Sequence, residues 1–330
     1  MMDAEDARPG EADGGRDRLS GGSSPAGRPR RGQRRATGWA DADAPRHGFV
    51  HGVSRHAFHR IAYTEWGPPD ASRAVVCVHG LTRQGRDFDR LAADLARRGY
   101  RVVCPDLPGR GRSEWLQNHD DYGLPQYCMD MAVLLARMQV ERVDWVGTSL
   151  GGLIGIVMAG MPQAPIARLV VNDIGPYLSW AALSRIGAYL RQMPASFPDL
   201  PAAVRYYREI LAPFGNLDDA AWLHLAEHSV ARTDGGAWRV LCDPGIARAF
   251  RPGLLYNLNL WRYWDAIRCE VLLLRGEKSD MLSSDTAAQM LRRGPHTALK
   301  QVPGCGHAPP LLSREQIKGV ADWVVSASAS

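Results

Sequence analysis

The chain has 330 residues, of which 45% are hydrophobic and 23% are charged, and its formal net charge is +5. This composition is typical of a soluble globular protein, and no stretch reaches the roughly 18 consecutive apolar residues that a membrane-spanning helix needs. The first residues lack the basic patch and apolar segment of a secretory signal, so we expect a cytoplasmic protein. Its six cysteines form no CxxC pair and are interpreted as reduced core residues.

Residues 1–45 are rich in Gly, Asp, Ala, Ser and Pro and contain a cluster of arginines between residues 28 and 35. Such a segment cannot bury enough apolar surface to fold, so we predict a disordered basic tail. The arginines suit a tether to nucleic acid or to an anionic surface. Because no aromatic residues interleave with them, a solvated tail or an over-long predicted start is favoured, and neither a nucleic-acid partner nor a membrane is expected.

From residue 46 onward, short apolar runs alternate with helical patterns. The predicted strands lie at residues 58–65, 74–79, 101–106, 142–148, 168–173, 270–275 and 297–302. The predicted helices lie at residues 87–98, 125–138, 150–161, 286–293 and 313–326. Strands that are apolar on both faces and alternate with helices predict an α/β fold with a mostly parallel sheet and helices on both of its faces.

The alternation is interrupted between residues 176 and 264. This stretch is helical in pattern, punctuated by prolines and without a convincing strand, and it holds five of the ten tryptophans. An insertion of that length is too long for a plain loop. We therefore predict an α/β core made of residues 46–175 and 265–330, with a helical cap at residues 176–264.

Gly147–Gly151 reads GTSLG, a GxSxG pattern between a predicted strand and a predicted helix. In that context Ser149 is expected on a tight turn that exposes its hydroxyl above the carboxyl edge of the sheet. The helix N-terminus also favours a developing alkoxide. Ser149 is therefore the candidate nucleophile, although a glycine-flanked serine elsewhere is more often a turn or a helix cap.

A serine nucleophile needs a base that is held by a third group, in the chain order serine, acid, histidine. His307 follows the last predicted strand in a loop rich in glycine and proline, and it is the candidate base. Asp280 follows the strand at 270–275, and Asp173 follows the strand at 168–173. Asp280 is favoured over Asp173 as the acid because it lies at the edge from which this architecture usually draws it.

The loop after the strand at 74–79 carries the remaining candidates. The backbone N–H groups of Leu81 and Leu150 are the predicted oxyanion-hole donors. Arg83 or Arg86 could bind a free carboxylate of the substrate, and Arg83 is the possible substrate-binding residue. The alternative is a surface arginine that pairs with Asp87 or Asp89.

Cofactor and metal motifs are weak in this sequence. His224 and His228 are four residues apart, as metal ligands on one helix face can be, but no recognisable zinc motif accompanies them. DLPGRGRSEW at 106–115 does not form GxGxxG, and no GxxxxGK[ST] occurs. We therefore predict no cofactor and no metal.

Five segments together resemble the α/β-hydrolase family, in particular its capped serine esterases. They are HGLT at 79–82, DLPGRGRS at 106–113, GTSLGG at 147–152, RGEKSD at 275–280 and GCGHAP at 304–309, and the resemblance covers about residues 48–325. It implies Ser149 as nucleophile, His307 as base and then acid, Asp280 as the residue that orients His307, and an acyl-enzyme. A bacterial subgroup with similar segments includes intracellular hydrolases of short 3-hydroxyalkanoate oligomers.

The sequence thus predicts a serine hydrolase that cleaves small to medium carboxylic esters, a small molecule being its partner. An acyltransferase, C–C hydrolase or perhydrolase with the same triad is an alternative. A low-turnover ligand-binding protein of this fold is another.

Overall fold

The architecture is an eight-stranded sheet covered by helices, seen in a computed structural model that describes residues 44–251 and 256–326. The predicted N-terminal tail lies outside the described residues, except for its last two. In chain order, the sheet strands are β1 (Arg46–Val53), β2 (Phe58–Trp66), β3 (Ala74–Val78), β4 (Arg101–Pro105), β5 (Val143–Thr148), β6 (Ile166–Asn172), β12 (Glu270–Gly276) and β13 (Thr297–Val302).

The strand order in space is β1-β2-β4-β3-β5-β6-β12-β13. Pairing is antiparallel between β1 and β2 and between β2 and β4, and it is parallel from β4 to β13. The mostly parallel sheet is therefore confirmed, and all seven predicted strands are present. The sequence missed β1, because an edge strand that exposes one face carries polar residues and lacks a continuous apolar run.

The five predicted helices are also present. They are α1 (Asp89–Arg97), α2 (Leu124–Met138), α3 (Leu150–Ala159), α8 (Ser284–Arg292) and α9 (Arg314–Ser326). Short 3₁₀ turns at Gly85–Phe88 and His119–Asp121 precede α1 and α2. Because the turn before α1 continues into that helix, the sequence pattern at 87–98 began two residues early.

Alternate residues of the central strands feed two separate cores. Val75, Val146 and Leu272 face α1 and α9, whereas Val76, Trp145 and Leu273 face α2 and α3 on the other side. All six side chains are nearly or fully inaccessible to solvent. This burial on both faces explains why the strands read as continuous apolar runs, and it makes the sheet a rigid platform for the loops at its edge.

The segment between β6 and β12 combines helices with small strands. Its elements are β7 (Tyr177–Leu178), α4 (Trp180–Gln192), β8 (Ser196–Phe197), α5 (Leu200–Ile210), α6 (Asp219–Glu227), β9 (Val230–Arg232), β10 (Trp238–Val240), β11 (Leu258–Asn259), α7 (Trp261–Ala266) and 3₁₀ turns at Ala212–Phe214 and Pro244–Phe250. The strands form a three-stranded sheet, β8-β10-β9, and a two-stranded one, β11-β7. The expectation of a segment without strands is wrong, because strands of two or three residues are too short to give an alternating pattern.

Candidate active site

The loops that follow five neighbouring strands meet at one edge of the sheet. These strands are β3, β5, β6, β12 and β13, and all of them are parallel. Carboxyl ends of parallel strands point to the same edge, where ligands of open α/β sheets bind. Leu81, Ser149, Asp173, Asp280 and His307 each follow one of these strands.

Ser149 lies on the turn between β5 and α3. Its φ is 50° and its ψ is −111°, a conformation that L-residues rarely adopt. The surrounding backbone holds it there, because its N–H donates to Asn172 O at 2.9 Å and its carbonyl accepts from Leu153 N at 3.0 Å. A Cβ on Gly151 would overlap the carbonyl of Val78, so the GxSxG glycine permits a close approach of α3 to β3.

A continuous hydrogen-bonded chain joins serine, histidine and aspartate. His307 Nε2 lies 2.9 Å from Ser149 Oγ, and His307 Nδ1 lies 2.8 Å from Asp173 Oδ2. The histidine is half-buried and the aspartate is completely buried. Because the carboxylate accepts from Nδ1–H, Nε2 is left unprotonated and can accept the serine proton.

Asp173 is held rigidly as the first residue after β6. Its own N–H donates to Leu274 O at 2.9 Å, and its φ is 60°. Its carboxylate also accepts from Gly276 N at 2.8 Å and from Ser279 Oγ at 2.6 Å. The buried carboxylate is therefore fully hydrogen-bonded, as a buried charge must be to avoid a large cost.

The expectation that Asp280 orients His307 is wrong. The Asp280 side chain is 69% exposed and lies 3.6 Å from the guanidinium of Arg185. Its neighbour Ser279 turns inward to Asp173 and accepts from Leu282 N at 3.1 Å. Asp280 comes four residues beyond the end of β12, in a loop that carries it to the surface, whereas Asp173 follows β6 without a spacer. Both acids fit the required chain order, so order alone did not separate them.

The loop after β3 is fixed by two buried side chains. His79 Nδ1 lies 2.7 Å from Gly80 O, and Nε2 accepts from Leu107 N at 2.9 Å. Burial lowers the pKa of His79 to about 3, so its ring is neutral. Arg110 Nε donates to Leu81 O at 2.8 Å. Since the peptide is planar and Gly80 O is bound on one side, the N–H of Leu81 points to the other.

Two cavities adjoin Ser149. One, of about 330 Å³, is also lined by Gly80, Leu81, Arg185, Asp280 and His307 and is the more polar of the two. The second, of about 130 Å³, is almost wholly apolar, and its walls include Leu153, Ile174, Leu183, Ile246 and Phe250. The segment between β6 and β12 supplies part of each wall, so its packing determines what reaches the serine.

Arg83 lines the larger cavity, but its guanidinium is hydrogen-bonded to other groups of the protein. Its Nε and Nη2 bind both oxygens of Asp87 at 2.8 and 2.7 Å, and Nη1 donates to Ser229 Oγ at 2.9 Å. Nη2 also donates to Leu225 O at 3.3 Å. The side chain is buried rather than superficial, and it joins the loop after β3 to α6. Four of its five N–H donors are thus used, which leaves little capacity for a substrate carboxylate.

Two residues that support this arrangement were missed in the sequence. Ser279 binds the carboxylate of Asp173, as described above. Asn172 Nδ2 donates to Thr148 Oγ1 at 3.1 Å and to Pro309 O at 2.8 Å, which joins β5, β6 and the histidine loop. Asn172 adjoins Asp173 in VVND and Ser279 adjoins Asp280 in KSD. The sequence signal that could have identified both supporting residues was a polar residue directly before a candidate acid.

Two further sequence predictions concern the cysteines and membrane-spanning helices. All six cysteines lie in the described residues as free thiols. In residues 44–251 and 256–326, no helix has both the length and the apolar composition required to cross a bilayer.

Comparison with known proteins establishes the family. The profile of the alpha/beta hydrolase family matches residues 75–323. The chain is 45% identical over 282 residues to a 3-hydroxybutyrate-oligomer hydrolase of Cupriavidus necator, covering 83% of this chain and 96% of that protein. It is 32% identical over 270 residues to a bifunctional esterase/perhydrolase of Acinetobacter calcoaceticus, covering 78% and 92% of the two chains.

A solved alpha/beta hydrolase from Novosphingobium aromaticivorans superimposes with a TM-score of 0.75 at 33% identity, covering 85% of this chain and 98% of that one. The chain belongs to the alpha/beta hydrolase family. The predictions of this fold and of an enzyme that hydrolyses carboxylic esters are confirmed.

Proposed function

We propose that Ser149, His307 and Asp173 are the catalytic triad of this ester hydrolase. The observation that carries this proposal is the unbroken chain of hydrogen bonds from Ser149 Oγ through both nitrogens of His307 to Asp173. Ser149 attacks the ester carbonyl while His307 accepts its proton. His307 then returns that proton to the departing alcohol, and water hydrolyses the acyl-enzyme by the same route.

The oxyanion of each tetrahedral intermediate is bound by the backbone N–H groups of Leu81 and Leu150. Leu150 is the first residue of α3, and the first N–H groups of a helix have no partner within it. Leu81 belongs to the loop whose carbonyls are held by His79 and Arg110. Two prepositioned donors stabilise charge that develops only in the transition state, each by roughly 3 kcal/mol.

Labelling with a fluorophosphonate tests the triad. We expect the reagent to modify Ser149 in the wild-type enzyme, as mapped by peptide mass spectrometry, and to leave Ser149→Ala unlabelled. Hydrolysis of p-nitrophenyl butyrate by Ser149→Ala should fall at least about 10⁴-fold. Modification at another serine, or an active Ser149→Ala, would refute the assignment and leave family membership intact.

We further propose that the substrates are short oligoesters of 3-hydroxy acids with a free carboxylate. The 45% identical relative with that named activity, aligned over nearly its whole length, supports this substrate class. The smaller, apolar cavity suits a short acyl group, and the larger one carries a cation. The residue for the carboxylate is Arg185 rather than Arg83, because Arg185 is 59% exposed and its ion pair with Asp280 is long.

Two opposite charge changes at the cavity test this substrate class. Arg185→Ala should raise KM for the 3-hydroxybutyrate dimer about tenfold, which corresponds to one charge-assisted hydrogen bond, and should leave KM for its methyl ester nearly unchanged. Asp280→Asn should lower KM for the acidic dimer, because it removes a like charge. Equal effects on the acid and on the methyl ester would refute the role of Arg185 without affecting the triad.

Other acyl acceptors are the alternative chemistry. The esterase/perhydrolase relative supports testing hydrogen peroxide, and added alcohols or thiols test acyl transfer. We propose that water is the acyl acceptor. In that case the rate at which the free acid is released stays constant when peroxide, an alcohol or a thiol is added. That residues 176–264 cap the serine also stays a prediction, which limited proteolysis tests. A cytoplasmic location stays a prediction too, and cell fractionation tests it.

A further inference from the structure

Three metal-ligating side chains converge away from the catalytic triad, at the junction of α1 and α6. Asp89 is the first residue of α1, His224 lies in α6, and His228 is the C-cap residue directly after α6. One potential ligand atom from each of these residues lies within 4.8 Å of the other two. The two imidazole rings are 4.4 Å apart, centre to centre.

We propose that Asp89, His224 and His228 bind one divalent transition metal ion of the zinc class. Two imidazoles and a carboxylate are a donor set that Zn²⁺ accepts, with the fourth position left to water. Tetrahedral bonds of the usual length place ligand atoms about 3.4 Å apart. Small side-chain rotations therefore close the site from the separation seen here.

A backbone hydrogen bond already orients His228 for metal binding, whereas His224 is bound to a backbone carbonyl through the nitrogen nearer Asp89. His228 Nδ1 lies 2.9 Å from His224 O, so this nitrogen donates and Nε2 is the ring nitrogen that can bind a metal. His224 Nε2 lies 2.9 Å from Arg86 O and 3.6 Å from Asp89 Oδ2. Because a carbonyl oxygen only accepts, His224 Nε2 donates to Arg86 O, and a metal that binds His224 through Nε2 would displace both this proton and the contact with Arg86 O.

Arg86 binds the carboxylate of Asp89. Its Nε lies 2.8 and 2.7 Å from the two oxygens of Asp89. A carboxylate has about four lone-pair positions, so Asp89 can keep one contact with Arg86 while it binds a cation. The guanidinium lowers the affinity for a second cation, and three ligands with this competitor favour a reversible site over a permanent one.

A metal at this position would affect the contact between α6 and the loop after β3. Arg83, from the loop that carries Leu81, binds α6 through Leu225 O and Ser229 Oγ. A metal held by Asp89, His224 and His228 would join the same two parts of the chain a second time. Metal binding should therefore stabilise the contact of α6 with the loop after β3 and raise the thermal midpoint, since it favours the folded state.

Zn²⁺ titration of the full-length enzyme without an affinity tag, stripped with a chelator and dialysed, tests the proposal. Isothermal titration calorimetry should give one ion per chain for the wild type. His228→Ala should weaken binding at least about tenfold, because loss of even an outer partner of a metal ligand costs that much. His296→Ala, at a histidine that is 85% exposed and far along the chain, is the matched control and should bind as the wild type does.

Two more variants test whether the ion binds elsewhere and provide for a His228 variant that does not fold. His307→Ala removes the catalytic imidazole, which is the competing zinc ligand, and should retain the ion. Loss of binding in His307→Ala with retention in His228→Ala would overturn the proposal, and so would equal affinity in the wild type and His228→Ala. If His228→Ala does not fold by circular dichroism, His224→Gln replaces it under the same criteria.

Discussion

The sheet is held by different interactions from those that join the loop after β3 to the segment between β6 and β12. Adjacent central strand residues such as Val75 and Val76, which face opposite sides of the sheet, are both completely buried in apolar surroundings. The inserted segment is joined to the loop after β3 through polar contacts, of which Arg83 supplies two hydrogen bonds, to Leu225 O and to Ser229 Oγ.

This difference separates two tasks in the enzyme. Apolar burial is non-directional but close-packed, so it fixes the strand ends and therefore the residues of the proposed triad. A buried polar group that loses its hydrogen-bond partner is left unsatisfied, and this costs free energy. The polar contacts at the junction therefore make the cavity walls sensitive to single substitutions. We expect the sheet to set reactivity and the inserted segment to set access and specificity.

The largest effect is expected from the two acids at the edge of the sheet. Asp173→Asn should lower kcat for p-nitrophenyl butyrate by roughly 10³–10⁴-fold, because the amide cannot hold the required tautomer of His307. Asp280→Asn is the isosteric control and should change kcat less than about threefold, since an exposed pair contributes little. The reverse order of the two variants would restore Asp280 as the acid.

A second, smaller effect should appear at the junction itself. Arg83→Ala leaves Asp87 without its buried partner and should lower the free energy of unfolding by about 3 kcal/mol. Hydrogen exchange should increase in α6 more than in β12. Arg185→Ala, at an exposed ion pair, should cost less than about 1 kcal/mol. Equal protection of α6 in all three proteins would show that the polar junction does not hold the segment.

The smallest effect concerns pH. Because burial keeps His79 neutral in the folded state while the unfolded chain takes up a proton below pH 6.5, this residue contributes stability above that pH and loses it as the pH falls toward 3. The contribution changes by at most about 1.4 kcal/mol per pH unit. In urea unfolding, His79→Asn should be less stable than the wild type at pH 7, and this difference should shrink at pH 4.5. A constant difference would contradict a depressed pKa.

Local patterns in the chain were sufficient to predict seven of the eight strands of the sheet, the five flanking helices, and the positions of Ser149 and His307 at the edge of the sheet. Buried parallel strands are apolar on both faces, and a nucleophile on a strand-to-helix turn needs glycines beside it, so both features leave a local pattern. The edge strand β1 and the strands of the inserted segment left none, because their residues alternate too weakly or too briefly.

What only the tertiary structure decided is which polar groups meet. Asp173 and Asp280 have the same chemistry and both follow strands. Asp173 is buried directly after β6, where Ser279 of the 277–283 loop binds it, whereas the path of the same loop carries Asp280 outward to Arg185. Likewise, Arg83 is bound by α6, and Asp89 joins His224 and His228, across more than a hundred residues of chain. Such contacts depend on the packing of distant elements, and composition or spacing within one segment does not encode them.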